Sequence, residues 1–308
     1  MAWLMMTNDD GIDSPYLQDL VDRLHELGHS IVVFAPKENN SAVSMKLTLG
    51  NPISFERRED PRDNVHQFVI GGSPCDCVIA ALDGGLQKEL PGVIPKLVVS
   101  GINLGPNMSQ DSYHSGTIAA AREAGMYGVP AIATSWSSFD PKGMEIAIDA
   151  TVQLVTAALE ILPDIPKNMS RKNVDLSPNH LSRWPENPAV PEWSEDPISA
   201  LRNAFAGGET FLNLNVPTDW NGKFANTRLG MRWYRSAVSF TEDSSTFKLG
   251  AAEIVADVVH RGDVDANAEG YANVSCLPSW PQTHPLAVDD LLLAWALNQR
   301  VEGLPIFL

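Results

Sequence analysis

Asp9 and Asp10 stand side by side between a short apolar run and a glycine, in Trp3-Leu4-Met5-Met6-Thr7-Asn8-Asp9-Asp10-Gly11. Adjacent carboxylates repel each other, and a cation between them is a simple way to keep both charged. The competing account is a helix-capping loop, because Asp also satisfies the free amides of a first helical turn. From this stretch alone both accounts stand. Three more loops carry groups of interest. The polar loop Lys37 to Ser44 contains Ser41, a residue type that turns also favour. The loop Gly101-Ile102-Asn103-Leu104-Gly105-Pro106-Asn107 is rich in Gly and Asn, so its backbone can turn tightly and approach a ligand closely. His114-Ser115-Gly116-Thr117 opens a helix. There the hydroxyls of Ser115 and Thr117, with the first-turn amides, form either an anion site or an ordinary cap.

The elements that must position these loops follow from hydrophobic pattern. Trp3 to Thr7 reads as a buried strand, Leu17, Leu20, Val21, Leu24 and Leu27 recur at helical spacing, and Ser30 to Ala35 is a second apolar strand. Strand, helix, strand is a βαβ unit with a right-handed crossover. In an open α/β sheet, the loops at the carboxyl ends of strands bind ligands. Ser14-Pro15 and Ser73-Pro74-Cys75-Asp76 read as an N-cap followed by Pro at the first helical position. Leu47 to Phe55 and His66 to Ile70 read as extended, joined by the charged stretch Glu56 to Asn64. Leu97 to Ser100 and Pro130 to Ser135 are further strands, and Glu145 to Leu162 fits a long amphipathic helix. Residues 163–208, with their prolines and tryptophans, read as an inserted loop. Phe211 to Pro217 returns to strand, Arg228 to Trp233 and Ala251 to His260 read as an extended arm, and the tail holds a strand at Ala272 to Leu277 and a helix at Ala287 to Asn298.

At 308 residues the chain can bury a sizeable core. A formal net charge of −16 argues against a nucleic-acid backbone or an anionic membrane as partner, and any phosphate substrate then needs local positive potential. No apolar run reaches the length of a membrane span. The three cysteines, Cys75, Cys77 and Cys276, do not make a disulfide framework, and Cys75 and Cys77 read as helix packing rather than a zinc or redox site. A reducing cytoplasm is the expected location.

Taken in order, Thr7-Asn8-Asp9-Asp10-Gly11-Ile12, Ala35-Pro36 through Ser41, Ser73-Pro74-Cys75-Asp76-Cys77, Val99-Ser100-Gly101-Ile102-Asn103, Gly105-Pro106-Asn107, Ser115-Gly116-Thr117 and Leu212 to Pro217 closely resemble the SurE survival-protein nucleotidases. The resemblance is most specific over the first ~135 residues and looser toward the C-terminus. It implies a single Rossmann-like three-layer α/β domain with a mostly parallel sheet. Its core would be 1–162 and 209–217, with an insertion at 163–208. Residues 218–308 would form an extended β arm and a C-terminal tail exchanged between subunits of a homodimer or homotetramer. The implied activity is hydrolysis of nucleoside 5′- or 3′-monophosphates, and of short polyphosphate, by metal-activated water. The resemblance assigns Asp9, Asp10, Ser41 and Asn103 as metal ligands, with Asp9, Asp10 and Asn103 catalytic. It assigns Ser115, Gly116, Thr117 and Asn107 to the phosphate. An all-oxygen donor set selects Mg²⁺ or Mn²⁺ over zinc. The chain departs from the pattern at Glu38, at Met45-Lys46 where the family has His-Ser, and at His114 where it has Tyr. Two other readings are a phosphatase of other small phosphomonoesters and a non-catalytic metal- or nucleotide-binding homologue. A phosphatase with an aspartyl nucleophile would need Asp-x-Asp after the first strand, where this chain has the adjacent Asp9 and Asp10 instead.

Overall fold

A computed structural model describes residues 2–167, 169, 196–243, 245–250, 253–282, 284, 286–299 and 302–308. β1 (Trp3–Thr7) leads through the acidic loop into α1 (Pro15–Glu26) and β2 (Ser30–Pro36). β3 (Phe55–Arg58), β4 (Val65–Ile70) and α2 (Pro74–Ala80) follow, then a π-helical turn at Ala81–Gly85 and the short α3 (Leu86–Glu89). Next come β5 (Leu97–Leu104), α4 (Asp111–His114), α5 (Gly116–Met126), β6 (Ala131–Trp136) and α6 (Met144–Ile161). α7 (Pro197–Ala206), β7 (Thr210–Val216), β8 (Phe224–Thr227) and β9 (Met231–Arg235) continue the chain. β10 (Val238–Phe240), β11 (Phe247–Leu249), β12 (Glu253–Asp257), α8 (Asp263–Ala268), β13 (Ala272–Pro278) and α9 (Asp290–Gln299) complete it.

The sheet has nine strands in the order β3-β4-β2-β1-β5-β6-β7-β13-β8. From β4 to β7 every pairing is parallel, β3 runs antiparallel to β4, and β13 runs antiparallel to β7. Both faces are covered, which explains why the central strands read as unbroken apolar runs. Leu4 and Met6, with Ile31, Val33, Leu97 and Val99, pack on the face holding α1, α6, α7 and α9. Met5, Val32, Phe34 and Val98 alternate onto the face holding α2, α3 and α5. The chain is therefore a three-layer α/β sandwich. Among the described residues no helix is long and apolar enough to cross a membrane.

Several elements differ from expectation. Leu47 to Ser54 is not strand: Pro52 has no N–H to give a ladder, and Thr48 is tied instead to Asp76, its N–H at 3.0 Å and its hydroxyl at 2.7 Å. The partner of β4 is drawn partly from the charged stretch, at Phe55–Arg58. Residues 168 and 170–195 of the expected inserted loop lie outside the described residues, but its end is the helix α7, which buries Ala200, Leu201, Ala204 and Phe205. Asp196 caps that helix by accepting from the Ser199 N–H at 3.0 Å, with Pro197 at its first position. In the tail, β8 and β13 belong to the main sheet. The arm consists of β9 paired with β12 and the hairpin β10-β11. Ser14 stands at the N-cap of α1, yet its hydroxyl makes no capping bond. Ser73 forms the full capping box with Asp76.

Candidate active site

Asp9 and Asp10 leave the carboxyl end of β1, beside the ends of β2 and β5, where the strand order reverses. The loop is held in shape locally. Asn8 bonds across it, its amide donating to Gly11 O at 2.9 Å, and Gly11 takes φ +104°, a backbone conformation that glycine permits. Ile12 N–H donates to Pro36 O and Asn40 N–H donates to Asp9 O at 2.6 Å, so the loops after β1 and β2 are clasped together.

Asp9 is buried and faces the start of α5. Its Oδ1 accepts from Thr117 Oγ1 at 2.7 Å and its Oδ2 from the Thr117 N–H at 3.1 Å. Gly116 makes this approach possible, since a Cβ there would lie 2.9 Å from Asp9 Cβ. Burial pushes the Asp9 carboxyl up to about 6, the Thr117 hydroxyl opposes the rise, and the Asp10 charge adds to it. Asp10 is also raised by burial, while the Leu104 amide and the Asn39 side chain pull it down. Its Oδ1 accepts from Asn39 Nδ2 at 3.2 Å, and its Oδ2 is buried with no hydrogen-bond partner. A buried carboxylate oxygen without a partner is costly unless something positive meets it.

Asn39 also holds Ser41. Its Oδ1 accepts from Ser41 Oγ at 2.7 Å and from the Ser41 N–H at 2.9 Å. One asparagine therefore links Asp10 to Ser41, a role the sequence reading missed. The available signal was its position two residues before the serine, where an Asx turn forms. Asn103 sits beyond an irregularity in the β5–β6 register. Gly101 makes that irregularity possible: it has φ +135°, and a Cβ would lie 2.4 Å from Thr134 O. The Asn103 Nδ2 donates to Gly105 O at 2.7 Å.

The remaining candidates divide. Ser115 is the N-cap of α5, its hydroxyl accepting from the Ile118 N–H at 3.1 Å. Thr117 clamps Asp9, a contact across 108 residues for which the sequence carried no local signal. Asn107 turns inward: its Nδ2 donates to Ser135 Oγ at 2.8 Å, and its backbone is held by Asn213 and Asn215. His114 is exposed, and its carbonyl accepts from the Ser44 N–H. Beside Asn39 opens a polar cavity of about 360 Å³ lined by Lys37, Glu38, Asn40, Lys46 and Ser73. Its two lysines offer local positive potential on an acidic chain.

The donors suit a hard divalent cation: two adjacent carboxylates, one with an unmet oxygen, and neutral oxygens on Ser41 and Asn103. Among the described residues no three His, Cys, Asp or Glu side chains converge on one point.

Comparison with known proteins extends this picture. Residues 4–236 match the family model of the survival protein SurE. A 5′-nucleotidase SurE of Syntrophotalea carbinolica is 31% identical over 299 residues, spanning 92% of this chain and 99% of that one. A 5′-nucleotidase SurE of Synechococcus elongatus is 40% identical over 212 residues, or 68% of this chain and 73% of that one. Among solved structures, the SurE protein from Aquifex aeolicus shares the fold with a TM-score of 0.60 at 23% identity, covering 90% of this chain and 94% of that chain.

Proposed function

The chain belongs to the SurE family, and from that premise we propose that it is a divalent metal-dependent 5′-nucleotidase, with 3′-nucleotides and short polyphosphate as further substrates. One observation carries the reading. Asp10 Oδ2 is buried without a partner beside the raised carboxyl of Asp9, at the carboxyl edge of the sheet and against the start of α5. Asp9, Asp10, Ser41 and Asn103 would hold Mg²⁺ or Mn²⁺. When bound, the ion would supply positive charge for a phosphoryl oxygen and lower the pKa of water.

The chain's own groups have separate tasks. Thr117 fixes the direction of Asp9 through both carboxylate oxygens, and Asn39 fixes Asp10 relative to Ser41. Phosphate binds at the N-terminus of α5, beside Asp9 and Gly116, where the helix dipole favours an anion. Ser115 supports that turn as its cap, and Thr117 reaches phosphate only by sharing its hydroxyl with Asp9. Lys37 and Lys46 draw the anionic substrate in. The arm β9–β12 makes a homodimer or dimer of dimers, and the protein works in the cytoplasm.

The deciding assay is phosphate release from nucleoside 5′- and 3′-monophosphates and tripolyphosphate, with Mn²⁺, Mg²⁺ or EDTA. Release from 5′-nucleotides that requires the metal and is lost in folded Asp10→Asn is the expected outcome. Full turnover after exhaustive chelation, or in Asp10→Asn, would falsify the metal site and the mechanism resting on it.

A further inference from the structure

Phe139 is an exposed aromatic side chain, 77% accessible, on the turn that follows β6. Single exposed apolar residues are ordinary, so its place is what matters. Its ring fills the space where Gly105 would carry a side chain: a Cβ there would lie 2.6 Å from a Phe139 ring carbon. Gly105 accepts the Asn103 side chain and follows Leu104, whose amide faces the Asp10 carboxyl. The ring therefore flanks the loop bearing Asn103 and the approach to Asp10.

The turn that carries it is tied down. Ser137 N–H donates to Val216 O at 2.9 Å, Gly105 N–H to Trp136 O at 3.0 Å, and Trp136 Nε1 to Asp140 O at 2.8 Å. Asp140 N–H bonds Ser138 Oγ at 3.0 Å, and Lys142 N–H bonds Asp140 Oδ1 at 3.0 Å. The backbone that carries the ring is thus fixed before anything binds, so no backbone entropy of this turn remains to be lost on stacking. Two other rim features could take the organic part of a substrate. The cavity lined by Lys37, Glu38 and Lys46 is polar and has no aromatic wall. Tyr113 is exposed too, but it stands on α4, where loop residue Ser44 docks on its carbonyl.

We infer that Phe139 is the platform on which the nucleobase of the substrate stacks. This rests on the nucleotidase reading and deepens it: recognition through a π face tolerates every base and prefers the larger purines.

The experiment compares Phe139→Ala and Phe139→Trp with wild type on adenosine 5′-monophosphate, uridine 5′-monophosphate and ribose 5-phosphate, which has no base. Inhibition by adenosine and by inorganic phosphate gives a second readout. Phe139→Ala should raise KM for the adenine nucleotide at least about fivefold, raise it less for the uridine nucleotide, and leave ribose 5-phosphate unchanged. Adenosine inhibition should weaken by a similar factor while phosphate inhibition stays as in wild type, and Phe139→Trp should restore both. Equal effects on ribose 5-phosphate and the nucleotides, or none on either, overturn the inference. So does the same discrimination in Tyr113→Ala or Lys46→Ala with Phe139→Ala silent. If wild type releases phosphate from no nucleotide, the nucleotidase reading fails by itself, and the two failures are told apart.

Discussion

Thr117→Val isolates the bond that holds Asp9. Valine keeps the shape of threonine and leaves the backbone N–H bond to Asp9 Oδ2, so only the 2.7 Å hydroxyl bond to Oδ1 is lost. In the folded chain the Asp9 carboxyl is pushed from 3.8 to about 6, chiefly by burial. At ~1.4 kcal/mol per pH unit, ionising it there costs about 3 kcal/mol more than in the unfolded chain. Between 3.8 and about 6 the folded state holds a proton that the unfolded state has released, so stability falls as pH rises through that window and levels above it. Removing the hydroxyl takes away a group that favours the charged form, so the window extends upward in the variant. Urea unfolding in a chelator reads the difference directly. At pH 5, where the carboxyl is mostly protonated, the variant should lose about 0.5–1.5 kcal/mol, the worth of a neutral hydrogen bond. At pH 8 the loss should grow to about 1.5–3 kcal/mol, the worth of one made to a charge. A loss that is the same at both pH values, or larger at pH 5, refutes the clamp and leaves Thr117 as a packing residue of α5.

Three other outcomes are expected. Asn39→Ala removes the bridge between Asp10 and Ser41, and Mn²⁺ affinity measured by calorimetry should fall about 10–100-fold; unchanged affinity would separate Asn39 from the site. Burial works to raise Asp60, but hydrogen bonds from Arg62 and Gln67 hold its carboxyl down at about 2. That pairing stabilises the fold above pH ~3.8 and is lost as pH falls through about 2, so Asp60→Asn should be less stable than wild type at pH 7 and no less stable at pH 2. Replacing residues 236–250 with a short glycine turn removes the hairpin of exposed Phe240, Phe247 and Leu249. Light scattering should show a smaller assembly than wild type with the core's thermal midpoint kept, and a wild-type monomer at micromolar concentration would end the oligomer proposal.

The sequence by itself determined the frame. Central parallel strands are buried on both faces, so Leu4 to Met6, Ile31 to Ala35 and Leu97 to Val99 announce themselves as apolar runs wherever their neighbours lie. The capping box at Ser73 and the proline at the start of α2 are equally local, because each group bonds within three residues. Alternation of strand and helix then put the loops bearing Asp9, Ser41 and Asn103 on one sheet edge. Where the local signal was weak or misleading, the reading slipped. Pro52 and the Thr48–Asp76 bonds kept Leu47 to Ser54 out of the sheet, and α7 was missed in a proline-rich stretch despite its Asp-Pro start.

Tertiary structure decided which of the gathered groups address one another. A serine or threonine at a helix start can cap, bind a ligand or clamp a neighbour, and only the arrival of another strand end selects among these. Ser115 is drawn to Ile118, Thr117 to Asp9 across 108 residues, and Asn107 to Ser135, away from the open edge. Phe139 is one more apolar residue in the sequence, and it becomes a rim element only because Gly105 and Val216 arrive from other strands to hold its turn. Such choices turn on distances between segments remote in sequence, and residue type and spacing encode no distance of that kind.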